Sequence, residues 1–290
     1  MLTKSQLKEI FSKYNFKPLK RLGENYLIDA NVKDKIIHEA RVNKDDAIFE
    51  IGPGFGALTI DLARANARIF AVEKDKKAFA ILKEIIKGDF PNLKLFNEDI
   101  LEFDIERIYS SKRLKVIGNL PYYVTTPIIE YLIDNRRYIE SALIVVQREV
   151  ANRLLALPGT KGCGSISCFI RYYTKPSYIH TIKRASFYPE PEVDSALVRL
   201  DFLEKGAVKV SDEELFFKII RGAFNQRRKT IMNSLSRREV LGLPKEELMK
   251  ILKKTGISAS SRPEDMGLEE FAGITNIISE NDSPKNSIVT

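Results

Sequence analysis

Three glycines at alternate positions, Gly52, Gly54 and Gly56, follow the apolar run AIFEI at residues 47–51. A strand that ends in such a turn and leads into a helix can bring backbone atoms close to a ligand. The dinucleotide fingerprint Gly-x-Gly-x-x-Gly needs its third glycine one residue later, so the pattern of a pyrophosphate site is not met. The turn therefore predicts a small-molecule site of another kind at the end of a buried strand.

Two carboxylates follow the next two apolar runs. Glu73 ends the run RIFAVE, 21 residues after Gly52, and Asp99 follows the run LKLF. An acid at the first of these positions can accept hydrogen bonds from both hydroxyls of a ribose. A carboxylate at the second can accept a hydrogen bond from the amine of an adenine. The turn and the two acids together predict a site for an adenosine group.

The tetrapeptide Asn119-Leu120-Pro121-Tyr122 lies at the end of the apolar run KVIGN. An exocyclic adenine amine is a poor nucleophile because its lone pair is delocalised, and it reacts only if acceptors hold its hydrogens. The Asn119 side-chain oxygen and the Leu120 carbonyl can be these acceptors, since Pro121 keeps the turn extended. Tyr122 offers a stacking face worth about 1–3 kcal/mol per base. A proline turn with a core tyrosine is the structural alternative.

Cations cluster in the segment 221–238, RGAFNQRRKTIMNSLSRR, which contains no acidic residue. Its basic residues are Arg221, Arg227, Arg228, Lys229, Arg237 and Arg238. The apolar residues of the segment have a roughly helical spacing, so one face would pack inward and another would present cations to phosphates. A solvated charged face is the alternative. The nucleobase chemistry predicted for residues 119–122 favours a nucleic-acid surface.

Apolar runs that alternate with helical patterns predict the fold that positions these groups. The expected strands are 47–51, 68–73, 93–96, 115–119 and 141–147, and the expected helices are 57–65, 75–87 and 125–135. This alternation predicts a parallel sheet, to which the runs 177–183 and 195–202 could add antiparallel strands at one edge. Helical segments that begin at Ser211 follow. We expect an α/β domain with a mixed, mostly parallel sheet in residues 1–204 and a small all-helical domain in residues 205–290.

Composition narrows the class of protein. The 290 residues carry a formal net charge of +8, which suggests a polyanionic partner. Cys163 and Cys168 lack the spacing of a zinc site, and the isolated His38 and His180 do not complete one, so no metal is expected. The charged N-terminus does not read as a signal peptide, and the apolar runs are too short to span a bilayer. We expect a cytoplasmic monomer without a membrane partner.

The turn Glu-x-Gly-x-Gly-x-Gly at residues 50–56 resembles motif I of the class I S-adenosylmethionine-dependent methyltransferases, which have a Rossmann-like fold. Asn-Leu-Pro-Tyr matches the Asn/Asp-x-Pro-Tyr/Phe motif of amino-methyltransferases that act on nucleobases. Five stretches together resemble the rRNA adenine N6,N6-dimethyltransferase family, and the last is typical of its bacterial small-subunit branch. They are LGENYLID (22–29), EIGPGFGALT (50–59), GNLPYYVTTPII (118–129), FYPEPEVDSALVRL (187–200) and AFNQRRKTIMNSL (223–235).

The resemblance implies site residues at the matching positions. Those near S-adenosylmethionine would be Asn25, Leu27, Gly52, Gly54, Glu73, Asp99 and Asn119. Those acting on the base would be Asn119, Leu120, Pro121, Tyr122 and Phe187. Phe187 would flank a flipped adenine opposite Tyr122, although a loop phenylalanine that covers the core fits equally well. The family's N-terminal motif is usually Gly-Gln-Asn-Phe-Leu, so Glu24 and Tyr26 depart from it, and the role of Glu24 stays open.

The implied function is dimethylation of the N6 amines of two adjacent adenosines in a small-subunit (16S) rRNA hairpin, with a role in small-subunit biogenesis. A large-subunit rRNA adenine methyltransferase of antibiotic resistance shares the cofactor motifs, but Leu120 and the segment 223–235 disfavour it. An assembly or transcription factor that has lost catalysis is disfavoured by the intact Asn-Leu-Pro-Tyr and by Glu73. A nicotinamide dehydrogenase is disfavoured by the glycine spacing.

Overall fold

The computed structural model describes residues 3–18, 25–226 and 229–282. Its strands are β1 (Tyr26–Leu27), β2 (Ala47–Ile51), β3 (Arg68–Val72), β4 (Leu93–Phe96), β5 (Leu114–Asn119), β6 (Ile139–Gln147), β7 (Thr174–Ile182), β8 (Phe187–Tyr188) and β9 (Ser195–Phe202). Its helices are α1 (Lys4–Lys13), α2 (Ala30–Ala40), α3 (Thr59–Arg64), α4 (Lys76–Ile86), α5 (Thr125–Asp134), α6 (Arg148–Leu154), α7 (Ser165–Tyr173), α8 (Glu213–Phe224), α9 (Ile231–Leu235), α10 (Lys245–Lys254) and α11 (Leu268–Asp282).

A seven-stranded sheet has the order β4-β3-β2-β5-β6-β9-β7. Strands β4, β3, β2, β5 and β6 pair in parallel, and β9 runs antiparallel to β6. This arrangement confirms the predicted α/β class with a mixed, mostly parallel sheet. The chain moves outward from β2 through β3 and β4 and then returns to place β5 on the other side of β2. A ligand cleft is expected at this reversal of strand order, beyond the carboxyl ends of the strands.

The sheet core explains why these runs form strands. All five residues of β2 are buried, as are four of the five in β3. Strands that are covered on both faces need apolar side chains on both faces, which produces continuous runs rather than alternation. Ile36 of α2 and Leu62 of α3 belong to the same buried cluster as Ile48 of β2 and Ile69 of β3.

By its internal contacts the chain divides into two units, Met1–Ala151 with Lys175–Glu204, and Asn152–Thr174 with Lys205–Thr290. The predicted boundary after residue 204 is also a boundary between these units. The segment Asn152–Thr174, which contains α7, belongs to the second unit, although the sequence placed it in the first. Within the second unit, Tyr173 of α7 stacks on Phe217 of α8 with ring centroids 5.5 Å apart.

The basic segment 221–238 is not one helix, contrary to the expectation from its apolar spacing. Helix α8 ends at Phe224, and α9 begins only at Ile231, where the Thr230 hydroxyl accepts a hydrogen bond from the Asn233 N–H. The apolar side chains of the segment are buried as predicted, but they come from two separate helices. The apolar spacing did not distinguish one helix from two, because the apolar side chains of α8 and α9 are both buried.

Candidate active site

A cavity of about 450 Å³ opens at the carboxyl ends of β2, β3 and β5. Parallel strands bring their C-terminal residues to the same edge of a sheet, so motifs that are distant in sequence meet there. The predicted site residues that line the cavity are Asn25, Leu27, Gly52, Gly54, Glu73, Asn119, Pro121 and Phe187. Most of the residues predicted to hold a small molecule therefore surround one space.

The glycine turn has the backbone that its sequence predicts. Gly52, Gly54 and Gly56 have φ values of +67°, +56° and +86°, in the region that favours glycine. A Cβ at Gly54 would lie 3.0 Å from the ring of Tyr26 on β1. The turn at Gly54 is therefore packed closely against Tyr26 of β1, with no room for a side chain at this position.

The carboxylate of Glu73 is held at the cavity wall by backbone groups. Its Oε2 accepts a hydrogen bond from the Gly54 N–H at 3.0 Å, and its Oε1 accepts one from the Asp75 N–H at 2.9 Å. Each carboxylate oxygen can accept more than one hydrogen bond, so a bound ligand can add its own. The glycine turn and the acid at the end of β3 are thus one assembly rather than two independent motifs.

The two outer motifs of the sequence are joined at the site. Strands β1 and β8 pair antiparallel, which places Leu27 beside Phe187. Phe187 is only 2% exposed and belongs to the core cluster, yet it also lines the cavity. Phe187 therefore covers the core and also borders the cavity, and its contact with a base stays a prediction. On the other side of the cavity, the Asn119 side-chain N–H donates to the Asn25 carbonyl at 2.8 Å.

Three predicted site residues do not line the cavity. Leu120 is 1% exposed, and its N–H donates to the Val145 carbonyl. Tyr122 is half-buried, and its hydroxyl lies 2.7 Å from the Ser195 Oγ. Asp99 accepts hydrogen bonds from the Lys74 ammonium at 2.5 Å and from the Leu101 N–H at 3.1 Å.

Lys74 stands between Asp99 and the cavity, which it lines. Burial acts to raise the pKa of Asp99, but the hydrogen bonds from Lys74 and the Leu101 N–H outweigh it and lower that pKa. Asp99 is therefore an ionised acceptor beside the cavity wall. Lys74 could not be predicted as a site residue, because a lysine after a strand is usually only a solvated charge.

Glu50 is a lining residue that the sequence analysis did not single out. The side chain is fully buried, and its Oε2 has no hydrogen-bond partner among the residues that the structure describes. Burial raises the pKa of this carboxyl to about 8, with Thr59 opposing the rise and the charge of Glu73 adding to it. An acid inside a buried strand was the available signal. A buried polar atom without a partner is unusual, which makes Glu50 a candidate for contact with a ligand in the cavity.

Tyr123 is a second lining residue that the sequence analysis missed. Its ring is 51% exposed and lines the cavity, while the neighbouring Tyr122 does not. The sequence pattern favoured Tyr122 because it occupies the fourth position of the motif. Two aromatic rings at the end of β5 are therefore candidates for contact with a base.

The basic residues of the second unit are only partly described. Arg221, Lys229 and Arg238 are exposed, and Arg221 lines a groove together with Lys218 and Arg237. Arg237 forms an ion pair with Glu239 at 3.2 Å, just beyond the acid-free segment. Arg227, Arg228 and Glu24 lie outside the described residues.

The described residues contain neither a helix that could span a membrane nor a cluster that could hold a metal ion. No helix in residues 3–18, 25–226 or 229–282 is long and apolar enough to cross a membrane. Within the same ranges, no group of three or more His, Cys, Asp or Glu side chains is arranged to hold a metal ion.

Known proteins resemble the chain over nearly its full length. Residues 15–280 match the family described as ribosomal RNA adenine dimethylase. "Ribosomal RNA small subunit methyltransferase A" of Alkaliphilus oremlandii (strain OhILAs) is 41% identical over 273 residues, which cover 93% of this chain and 94% of that protein. The protein of the same description from Geobacillus sp. (strain WCH70) is 41% identical over 286 residues, covering 95% and 97%.

Solved structures share the fold. A dimethyladenosine transferase from Plasmodium falciparum superposes with a TM-score of 0.77 at 22% identity, covering 88% of this chain and 98% of that one. The 23S rRNA methyltransferase ErmE superposes with a TM-score of 0.68 at 23% identity, covering 87% and 98%. At such identities the likeness concerns the fold alone, whereas the sequence matches extend to the family. The predicted resemblance is confirmed, and the chain belongs to the ribosomal RNA adenine dimethylase family.

Proposed function

We propose that this chain transfers methyl groups from S-adenosylmethionine to the N6 amines of two adjacent adenosines in a hairpin of small-subunit (16S) rRNA. The observation that carries the proposal is the hydrogen bond between Asn119 and Asn25. Because the Asn119 amide nitrogen must be the donor to a carbonyl, the side-chain oxygen is the atom left to accept from an amine. Family membership and the descriptions of the full-length relatives support the same reaction.

The residues at the cavity fit S-adenosylmethionine. The buried Glu50 Oε2 without a described partner suits the ammonium of its methionine part, and the backbone-held Glu73 carboxylate suits its ribose hydroxyls. Gly52 and Gly54 line the cavity and carry no side chain into it. Asp99, beside the wall behind Lys74, is assigned to the adenine amine. When bound, this cofactor supplies an electrophilic methyl group.

The turn at residues 119–122 is assigned to the acceptor base. The Asn119 oxygen and the Leu120 carbonyl accept hydrogen bonds from the N6 amine and favour a pyramidal nitrogen. These hydrogen bonds strengthen as positive charge develops on that nitrogen. Pro121 has an extended backbone at φ −60° and ψ 131°, which carries the chain out of β5 without a helical turn at Leu120. Tyr122 and Phe187 are assigned as flanking aromatic residues.

The second unit is assigned to RNA binding. Extruding a base costs a few kcal/mol, which contacts to phosphates must offset. Arg221, Lys229 and Arg238 are exposed in the described part of this unit, and Arg227, Arg228 and Arg237 complete the cationic set. Phosphate contacts with few base contacts would select RNA by shape rather than by sequence. We propose that a single copy of this chain acts on the small ribosomal subunit in the cytoplasm.

Labelled S-adenosylmethionine tests the proposal directly. Purified protein is incubated with small subunits whose adenosines are unmethylated, and the RNA is digested and analysed by mass spectrometry. We expect N6,N6-dimethyladenosine at two adjacent 16S positions, and Asn119→Ala serves as the inactive control. Label in 23S rRNA alone would favour the large-subunit activity. Binding to the subunit without any label would favour an assembly factor that lacks catalysis.

A further inference from the structure

Ser195 lies at the start of β9, fully buried, with its Oγ 2.7 Å from the Tyr122 hydroxyl. Tyr122 follows β5, and β9 is separated from β5 by β6 in the sheet. Tyr122 is therefore held at two points. Its backbone follows the end of β5, and its hydroxyl is hydrogen-bonded to the start of β9. Fixing both ends of a ring leaves little freedom in its tilt.

Strand pairing and the hydrogen bonds of the preceding residue hold the backbone at Ser195. Its backbone pairs opposite Gln147 of β6. The preceding residue, Asp194, is tied by its carbonyl to the Arg148 N–H at 3.0 Å and by its carboxylate to the Arg184 N–H at 3.0 Å and the Lys183 ammonium at 3.1 Å. A hydroxyl mounted on such a backbone is a rigid anchor rather than a group that adapts to its partner.

We infer that Ser195 is a positioning residue, which sets the tilt of the Tyr122 ring so that the target base stacks with its amine aimed at the Asn119 oxygen. This inference rests on the proposed function, in which Tyr122 is the stacking face. Ser195 does not touch the base or the cofactor and acts only through the tyrosine hydroxyl. A misplacement of reacting groups by a fraction of an ångström lowers a rate much more than an affinity, because orientation matters most in the transition state.

Single-turnover rates on pre-bound subunits, at saturating cofactor, measure the effect. Loss of one hydrogen bond predicts that Ser195→Ala lowers the rate about tenfold. RNA affinity should stay within about twofold, since the stacking face remains. Tyr122→Phe removes the other half of the same bond and should show the same loss. Combining the two changes should cost no more than either alone, because only one interaction is removed. Ser195→Thr, which retains the hydroxyl, should restore the rate.

A spectroscopic measurement is independent of methylation. The Cζ of tyrosine carries the hydroxyl oxygen, so its ¹³C resonance reports the hydrogen bond that the hydroxyl makes. We expect the Tyr122 signal, identified by its loss in Tyr122→Phe, to shift and broaden in Ser195→Ala and to remain as in the native chain in Ser195→Thr.

The outcomes separate the two hypotheses. An unchanged rate in Ser195→Ala, losses that multiply in the double variant, or an unchanged Cζ signal would each overturn the role of Ser195. If Ser195→Ala does not fold, Tyr122→Phe decides the same question, since full activity there leaves the bond without a function. A native chain that methylates no adenosine would overturn the proposed function, while the Cζ signal would still decide whether Ser195 anchors the ring.

Discussion

Asn119 and Asn25 are joined by a hydrogen bond of 2.8 Å from the side-chain N–H of the first to the backbone carbonyl of the second. The bond connects the end of β5 to the residue that precedes β1, and both residues line the cavity. It also fixes the orientation of the amide, because only the nitrogen can donate to a carbonyl. The side-chain oxygen that we assign to the substrate amine is thus oriented by a contact within the chain itself.

Asn119→Ala should therefore lower the single-turnover methylation rate more than it lowers affinity for RNA. We expect a loss of at least about 100-fold, by analogy with the removal of one preorganised group that acts on developing charge. Some loss of cofactor affinity should accompany it, since Asn119 lines the cavity. Quenched-flow kinetics on bound subunits, together with filter binding of RNA, measure the two effects separately.

Asn25→Ala is the matched control for this change. Asn25 contributes its backbone carbonyl to the bond, and alanine retains that carbonyl. The rate at saturating cofactor should stay near that of the native chain, even if cofactor affinity falls. An equal loss of rate in both variants would mean that the Asn25 side chain, and not the oriented Asn119 oxygen, is needed for the reaction.

Gly54→Ala should weaken cofactor binding beyond the cost of backbone strain. Its φ of +56° is unfavourable for alanine by about 1–2 kcal/mol, and the new Cβ would lie 3.0 Å from the Tyr26 ring. Gly88 offers a matched control, since it has a φ of +81° with no atom within 4 Å of an added Cβ. Gly88→Ala should lose similar thermal stability but no cofactor affinity. Calorimetric titration that gave equal affinities for the two variants would remove Gly54 from the cofactor site.

Glu50 should make cofactor binding depend on pH. Its carboxyl, with a pKa of about 8, is protonated at pH 6–7 in the free protein. A cationic ammonium beside it favours the ionised form, so binding lowers the pKa and releases a proton. Affinity should then rise with pH, by up to about tenfold per unit, in a range where the α-amino group is still protonated.

Calorimetry in two buffers of different ionisation enthalpy counts the released protons. The native chain should release a fraction of a proton at pH 7. Glu50→Gln should lack this proton release. It should also bind the cofactor about 10- to 100-fold more weakly, because a hydrogen bond to a charged group is lost. Equal proton release in the two proteins would show that Glu50 does not titrate on binding.

The sheet was predictable because parallel strands that are buried on both faces carry a strong local signal. The runs 47–51, 93–96 and 195–202 form strands with the predicted bounds. Helix boundaries depend on individual caps, and the helix expected to begin at Ser211 is instead capped by Asp212, whose side chain accepts from the Leu215 N–H. Helix α7 was missed because its partners lie about 40 residues away, as in the Tyr172–Glu213 hydrogen bond.

Site residues could be predicted from the sequence where a position in the fold allows only one kind of side chain for the proposed role. The glycine turn, Glu73 and Asn119 are of this kind, and all of them line the cavity. Residues whose role depends on distant contacts were not predictable. Glu50 begins the Glu-x-Gly-x-Gly-x-Gly turn, but only the structure shows that it is buried without a described partner for its Oε2. Only the structure places the Tyr122 hydroxyl beside Ser195.

Arg221 and Lys229 should contribute to RNA binding through phosphates. Both are exposed: Arg221 belongs to α8, and Lys229 lies between the end of α8 and the start of α9. Reversing both to glutamate should weaken RNA binding at low salt and reduce the slope of log affinity against log salt by about 0.7–0.9 per lost phosphate contact. Cofactor affinity should not change, since neither residue lines the cofactor cavity.

Lys253→Glu with Lys254→Glu, at the exposed end of α10 in the same unit, changes the net charge equally and is the matched control. If the control lost as much RNA affinity and as much of the salt slope, net charge rather than placed cations would hold the RNA. If cofactor affinity fell together with RNA affinity, the basic segment would be needed for folding, and the assignment of RNA binding to it would be wrong.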